Sequence, residues 1–498
     1  MKICFFLQRR FADVGHTIIC NLKESFGFNQ FCAYVSVRKS YDFLKNQKEI
    51  AYTSLILDED VHASLYKETI DYVYLKQLEK DYGIPNLWPY LCIDRILMQG
   101  QLLREYPHDE PLLSYEEMQK AIQVTSKAII GFLEKEKPDA VVISVVGSLA
   151  SLLLYHIAKK KGILTINIDL IRVKNRVGFT EDYKTFSWAK KIFEKVINGQ
   201  QKIDLTKAQT FLKEFRDKPA SYIKHATPEY NNQAKRIGNI TFLRPDKLLR
   251  SVKWQFKSIA RDIWRTHKDY TDILIWWEIW DKFKRKIRGL IGYSDLYSEV
   301  REEDFAFFAL HYEPEVAIAL YAPHYTDQIH VIKQLAQSLP LNYKLYIKEH
   351  AVMVGYRTRS YYKELIKIPN VRLISPMRNG HDLVQKAKLV VTLTGTVGWE
   401  AIMFKKPVIT LGDVYYNDLS FVRRCKSFED LPYIVKDQLD HFIHDEDELQ
   451  VYLAALIDDS VEVNYVDLWR DASSFDEIRY DPGIKRFSEL LGKKLLEK

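Results

Sequence analysis

The sequence predicts an α/β protein of two lobes, joined by a helical middle segment and separated by a cleft. Three observations carry that expectation. Apolar runs alternate with helix-like stretches over residues 1–170, the same rhythm returns from about 303 to 412, and the polar, lysine-rich interval 175–300 lacks it. Continuous β-branched runs separated by helices indicate a parallel sheet covered on both faces. At 498 residues the chain also exceeds what one hydrophobic core supports. Its 47% hydrophobic and 28% charged content belongs to an ordinary globular protein that needs no staples.

In the first lobe KICFFL (2–7) reads as a buried strand, and a helix follows from about Thr17 to Phe26. SLILDED (54–60) reads as a second strand, AVVISVV (140–146) as a third and ILTINID (163–169) as a fourth. Between the last two, SLASLLLYHIAKKKG reads as a helix, with Ser148 as its N-cap and Gly162 as its C-terminal stop. In the second lobe the strands are FAFFALH (305–311), YKLYIKEH (343–350), VRLISP (371–376), LVVTLTGT (389–396) and PVITLG (407–412). Helices are expected at 327–340, 381–387 and 397–405, and again at 484–497.

Several classes are excluded or disfavoured. No run approaches the roughly 18 apolar residues of a membrane span. The opening MKICFFLQRR has a short apolar run followed, not preceded, by basic residues, so a cytoplasmic location is expected. The five cysteines (Cys4, Cys20, Cys32, Cys92 and Cys425) are scattered, which fits neither a disulfide framework nor a zinc site. The formal charge of +7 is concentrated: between Arg244 and Arg288 stand 13 Lys/Arg against 6 Asp/Glu, with five of the nine tryptophans. There Leu249, Val252, Phe256, Ile259 and Ile263 recur at helical spacing among lysines and arginines. Residues 247–288 therefore suit peripheral contact with an anionic membrane, or a linker helix packing its apolar stripe on the lobes. Nucleic acid is a poor partner, because the rest of the chain is about neutral and carries no recognition motif.

Three segments of the second lobe carry chemistry. In LVVTLTGTVGWEAIMFKKPVITLG (389–412) a buried strand ends in Thr394, Gly395 and Thr396, and a helix begins directly after. Open α/β sheets bind ligands at strand carboxyl ends, where a helix N-terminus offers unpaired N–H groups and partial positive charge to a phosphate. Gly395 and Gly398 let the backbone approach closely, and Glu400, one turn on, suits ribose hydroxyls; the same pattern also fits a plain helix cap with Glu400 solvated. In LYIKEHAV (345–352), Lys348 and His350 share a face of an extended strand and suit a phosphate leaving group, with Arg357 a short loop away. Alternatively Lys348 pairs with Glu349 at the surface. In HYEPEVA (311–317), His311, Glu313 and Glu315 project near one sheet edge and suit a base or a sugar, or form a simple turn.

HYEPE at 311–315, DQ at 327–328, LP at 339–340, LYIKEH at 345–350, TGTVGWEA at 394–401 and KPVITLG at 406–412, followed by Tyr415 and Tyr416, together resemble the capsular-polysaccharide biosynthesis family. That family includes the Kdo transferases of capsule and lipopolysaccharide assembly. The resemblance covers roughly residues 300–420. It implies a GT-B-like fold of two Rossmann-like domains, with a nucleotide-sugar donor in the second and the acceptor facing the first. CMP-linked Kdo-type sugars are the leading donors. Family members commonly show a His-Pro pair where this chain has His350-Ala351, which leaves the exact donor open.

Such an enzyme needs no metal and no resident cofactor if basic residues and a helix N-terminus hold the leaving phosphate. It does need a carboxylate or histidine near the reacting carbon. Asp13 and His16, with Gly15 between them, follow the first strand and are the leading candidates; Glu181 and Asp182 form a second set. Gly147 and Ser148 stand at another strand-to-helix turn. Asp58-Glu59-Asp60 reads as a strand terminus, and no metal site is assigned.

The resulting expectation is a first Rossmann-like domain at 1–190, a connecting segment at 191–300, a donor-binding domain at 301–480 and a terminal helix at 481–498. Its function would be transfer of a sugar to a growing surface polysaccharide or its lipid-linked acceptor. The competing classes are a sugar-nucleotide epimerase, a CDP-polyol phosphotransferase and a non-catalytic capsule-assembly protein.

Overall fold

The computed structural model describes residues 1–8, 11–99, 113–220, 275–464 and 475–497, with Pro111 and Phe256. Its first six strands are β1 (Lys2–Leu7), β2 (Gln30–Val35), β3 (Tyr52–Leu57), β4 (Ala140–Ile143), β5 (Leu164–Leu170) and β6 (Arg176–Thr180). The next six are β7 (Phe305–Ala309), β8 (Lys344–Lys348), β9 (Val371–Ile374), β10 (Leu389–Thr392), β11 (Val408–Thr410) and β12 (Arg423–Arg424). The short β13 (Ser460–Glu462) follows.

The chain divides into two compact units. One comprises Met1–Asp94, Leu113–Lys213 and Glu446–Lys498; the other comprises Arg95–Leu112 and Glu214–Asp445. Each is an α/β unit built on one mostly or wholly parallel sheet, so the predicted class holds.

In the first unit the order is β13-β6-β5-β4-β1-β2-β3. Strands β3, β2, β1, β4 and β5 run parallel, which requires helical crossovers and explains why KICFFL and AVVI are apolar on both faces. Ile3, Phe5 and Leu7 enter one core with Val14, Ile18 and Leu22 of the helix Phe11–Phe26. The helix Leu149–Lys160 starts where expected: Ser148 accepts from the Ser151 amide, and Ser151 returns the bond. Gly162, at φ +71°, turns the chain out of it. Strand β6 then runs antiparallel to β5, and β13 antiparallel to β6.

The second unit holds a six-stranded parallel sheet in the order β12-β11-β10-β7-β8-β9. Numbered within the unit this is 3-2-1-4-5-6, the Rossmann order, which reverses direction between β7 and β10. Leu345, Ile347, Phe308 and Val391 face one core with Val331, Ile332 and Leu335 of the helix Gln328–Ser338. Leu335 is fully buried, so trimming it to alanine costs about 2–5 kcal/mol.

One boundary differs from expectation. Residues from Glu446 return to the first unit, whereas the second domain was expected to run to 480. A three-residue strand such as β13 has no periodicity to read, and only its pairing with Arg176–Gly178 reveals its sheet. The middle segment is helical where described, at Ser187–Ile197, Thr206–Asp217 and Ile275–Ile291. Of the expected amphipathic stripe, Leu249, Val252, Ile259 and Ile263 lie outside the described residues. No helix among the described residues is long and apolar enough to cross a membrane.

Candidate functional site

Strand order places the expected ligand crevice of the second unit at the carboxyl ends of β7 and β10. There the structure puts His311, just past β7, against Thr392 and Thr394. The Thr394 amide donates to His311 Nε2 at 3.3 Å, and Thr392 Oγ1 lies 3.2 Å from the same nitrogen. An acceptor at Nε2 fixes the neutral ring with its proton on Nδ1. Burial pushes the His311 pKa down to about 3, with His350 and Arg357 adding to the effect. The ring is therefore a neutral brace between two strand ends.

Gly395 continues the brace. A Cβ there would stand 2.8 Å from Thr392 Oγ1 and 3.0 Å from His311 Nε2. At Gly398 it would meet Tyr416 Oη at 2.5 Å, and that hydroxyl donates to the Gly395 carbonyl at 2.7 Å. Both glycines were expected to admit a ligand to the backbone. Their lack of a side chain is used instead to seat His311 and Tyr416.

Arg357 also departs from expectation. It is fully buried, and its Nη1 donates to both oxygens of Glu349 at 2.5 and 2.6 Å. Its Nη2 donates to the His311 carbonyl at 2.7 Å and lies 3.2 Å from Glu313 Oε2. Burial disfavours its charge, but Glu349, Tyr361 and Glu313 outweigh that and hold it protonated. Glu313 in turn accepts from Gln328 Nε2, whose amide also pairs with the His311 backbone. Burial pushes the Glu313 pKa up, against the pull of Arg357. Arg357 and Glu313 thus lock the loop after β7 to the loop after β8 and are closed to ligand. Glu315 is exposed, at the N-cap of the short helix Val316–Ala319.

What remains open lies beside this frame. Lys348, at the carboxyl end of β8, is half-buried, and among the described residues its ammonium makes no hydrogen bond or ion pair. Burial pushes its pKa down, while Glu349 and Glu400 pull it up. Glu400 Oε1 lies 3.3 Å from His381 Nε2. Burial works against charge on His381, but the hydrogen bond and charge of Glu400 prevail and raise its pKa. Thr396 opens the helix Thr396–Met403, which Gly395 caps without a side-chain hydrogen bond. Its first amides lack a side-chain cap and present partial positive charge. His350 is exposed, with its ring 5.6 Å from that of Tyr312. One cation, one acid–imidazole pair, one hydroxyl and a helix N-terminus therefore share the carboxyl side of the sheet, a set suited to an anionic leaving group and sugar or ribose hydroxyls.

Sequence reasoning missed His381, which looked like part of an ordinary helix start. Its partner Glu400 stands in another helix, so no local pattern joins them.

The first-unit candidates fare differently. His16 is fully buried, its Nδ1 2.8 Å from Tyr52 Oη, among the rings of Phe43, Tyr52 and Phe475. Burial lowers its pKa to about 4. It is a core histidine, and Gly15 beside it makes room for Leu7 and Phe11. Glu181 and Asp182 follow β6, whose antiparallel direction carries them toward the amino edge of the sheet, away from the strand carboxyl ends. Asp182 Oδ1 accepts from the Lys184 amide at 3.0 Å, and Glu181 pairs with Lys191 at 3.6 Å. They form a turn. Asp13 stays half-exposed in the first turn after β1. Gly147 and Ser148 are engaged by Ser151 in capping. Asp58 accepts from Tyr34 Oη at 2.6 Å and begins the helix Asp58–Ala63.

Residues 298–421 match the family described as capsule polysaccharide biosynthesis protein, so the resemblance carried by the six motifs is found over that segment. No curated protein matches the chain. Among solved structures it is similar to two KpsC proteins of Thermosulfurimonas dismutans. The beta Kdo 2,7 transferase is 12% identical at a TM-score of 0.32, over 75% of this chain and 90% of that one. The beta Kdo 2,4 transferase is 16% identical at 0.33, over 69% and 87%. A UDP-GlcNAc 2-epimerase from Neisseria meningitidis is 13% identical at 0.29, over 100% of both chains. At TM-scores this low, nothing about activity is taken from them.

Proposed function

We propose, from the capsule-family segment and the half-buried Lys348 within it, that this protein is a glycosyltransferase. It moves a sugar from a nucleotide-sugar donor, CMP-Kdo-type by preference, to a surface polysaccharide or its lipid-linked acceptor. The observation that carries this reading is Lys348: a half-buried ammonium at a strand carboxyl end that, among the described residues, makes no hydrogen bond or ion pair. Leaving such a charge unpaired is costly unless a ligand supplies the anion.

As the bond between the sugar's anomeric carbon and the donor phosphate breaks, the electron pair goes to the phosphate oxygen. Lys348 and the amides and hydroxyl at Thr396 would hold that oxygen's charge. The Glu400–His381 pair would accept and donate to ribose or sugar hydroxyls, and His350 with Tyr312 would flank the donor. Asp13 is the remaining first-unit candidate for the base that takes the proton of the attacking acceptor hydroxyl. No metal or resident cofactor is assigned to this chemistry.

The reading includes contact of residues 247–288 with an anionic membrane surface bearing the acceptor. Its support is the described helix Ile275–Ile291, where Trp280, Phe283 and Ile287 are exposed at spacings of three and four, with Lys282 exposed among them.

A thermal-shift panel of CMP, CDP, UMP, UDP and GDP tests the donor site on wild type, Lys348→Ala and Thr396→Ala. A ligand at a hundred times its Kd stabilises by about 2.7 kcal/mol. One nucleotide is expected to raise Tm in wild type and to lose most of that effect in both variants. Stabilisation by CDP but not CMP would move the reading to a CDP-polyol enzyme. No shift with any nucleotide would leave a non-catalytic assembly protein.

A further inference from the structure

In the helical layer of the first unit, the helices Tyr72–Tyr82, Trp88–Cys92 and Tyr115–Glu136 enclose a pocket of about 230 Å³. The floor is apolar, with Leu91 and Ile122 buried. The walls are exposed aromatic rings: Tyr72 is 65% accessible, Trp88 46% and Tyr115 60%. Trp88 and Tyr115 lie nearly parallel, with ring centroids 5.9 Å apart and planes 17° off.

These rings stand on fixed backbone. Tyr115 opens a helix closed by a reciprocal capping box between Ser114 and Glu117. Trp88 opens another helix, and its amide donates to Asn86 Oδ1 at 3.0 Å, while the preceding Leu87 amide donates to Glu79 Oε2 at 3.1 Å. Lys76 and Gln119 also line the pocket, and among the described residues neither side chain makes a hydrogen bond or ion pair.

The geometry points to a saccharide-binding pocket, taking one or two rings of a longer glycan. Three large rings gathered at the surface contribute little to the core, and clustered exposed apolar surface marks a contact site. A sugar ring has a face of C–H bonds and a rim of hydroxyls. The face fits the Trp88–Tyr115 platform; the rim matches the Gln119 amide and Lys76 ammonium that line the same pocket. An apolar side chain or an acyl chain would cover the rings but make no use of those two polar groups. The volume is below the roughly 300–1,000 Å³ of a site that engulfs a drug-sized ligand, which suits a few units of a chain that continues into solvent. No strand carboxyl end lines the pocket, so it holds a stretch of glycan and not its reacting end. This assignment rests on the polysaccharide reading above for the identity of its glycan.

Calorimetric titration of the full chain with three hexasaccharides tests it: an α-glucan, a glucuronate-containing glycosaminoglycan and an α2,8-linked sialic acid oligomer. At least one is expected to bind, and Trp88→Ala and Gln119→Leu are each expected to raise Kd about tenfold. Tm and the nucleotide response of both variants should match wild type. Absence of binding by all three at millimolar concentration overturns the pocket, as does binding that survives both substitutions. Self-association of wild type that Trp88→Ala abolishes would instead make this face a contact between copies. Saccharide binding without any nucleotide response would sink the donor reading and leave the pocket standing.

Discussion

Arg357 and Lys348 are nine positions apart, and both looked like phosphate ligands in the sequence. In the structure Arg357 holds Glu349 and Glu313 inside the protein, while Lys348 makes no hydrogen bond or ion pair among the described residues. Removing a buried cation strands its carboxylates, at a cost of about 3–5 kcal/mol. Arg357→Ala should therefore lower the urea midpoint sharply, whereas Lys348→Ala should leave it near wild type and lose nucleotide binding. Equal loss of stability in the two would contradict this division of roles. Sequence could not make it, because the partner Glu313 is 44 positions from Arg357 and the assignment follows from burial. His311 was misread for the same reason: its bonds to Thr392 and Thr394 span 81 and 83 positions.

Elements were more legible than roles. Runs such as FAFFA and LVVT are apolar without interruption because parallel strands are covered twice, and they appear in the structure as β7 and β10. The start of the helix Gln328–Ser338 was equally clear, with Asp327 accepting from the His330 amide. Strand β2, QFCAYV, was overlooked, and β12 and β13 are too short to leave a signal. The helix Ile275–Ile291 belongs at this scale, since its exposed Trp280 and Phe283 stack on each other, 5.5 Å between centroids, where a lipid headgroup region would receive them. Liposome flotation should therefore recover the protein with vesicles containing anionic lipid and not with purely zwitterionic ones. Combined replacement of Trp280 and Phe283 by serine should abolish recovery. Equal flotation with both lipid types, or in neither, would remove the membrane contact.

Across the whole molecule, three buried histidines and the half-buried His156 among the described residues shape the response to acid. Burial holds His16 and His156 down to about 4, and His62 and His311 to about 3. Each is neutral when folded and takes a proton near 6.5 when unfolded, so the unfolded chain binds more protons as pH falls through that value. Stability is then lost with falling pH, at about 1.4 kcal/mol per pH unit for each extra proton. Asp459, raised to about 6 chiefly by burial, works in the opposite sense, as do Asp169, Glu313 and His381, each also raised. Tm should fall steadily from pH 6.5 to 4.5 in calorimetry; a flat profile would mean these rings are hydrated.

The return of the chain at Glu446 has a consequence for how the protein is made. Ile478, Ile484, Phe487 and Leu491 belong to the same core as β1, a strand synthesised long before them. The second unit's sheet, by contrast, is finished by Arg424. During synthesis the later unit can close its sheet while the earlier one still waits for its last helix. The usual order, in which the amino-terminal domain folds first, is inverted here. Until residues 482–496 arrive, the apolar faces of Phe11–Phe26 and Phe179 lack the helix Pro482–Leu496 that covers them, and the nascent first unit is the part most in need of a chaperone.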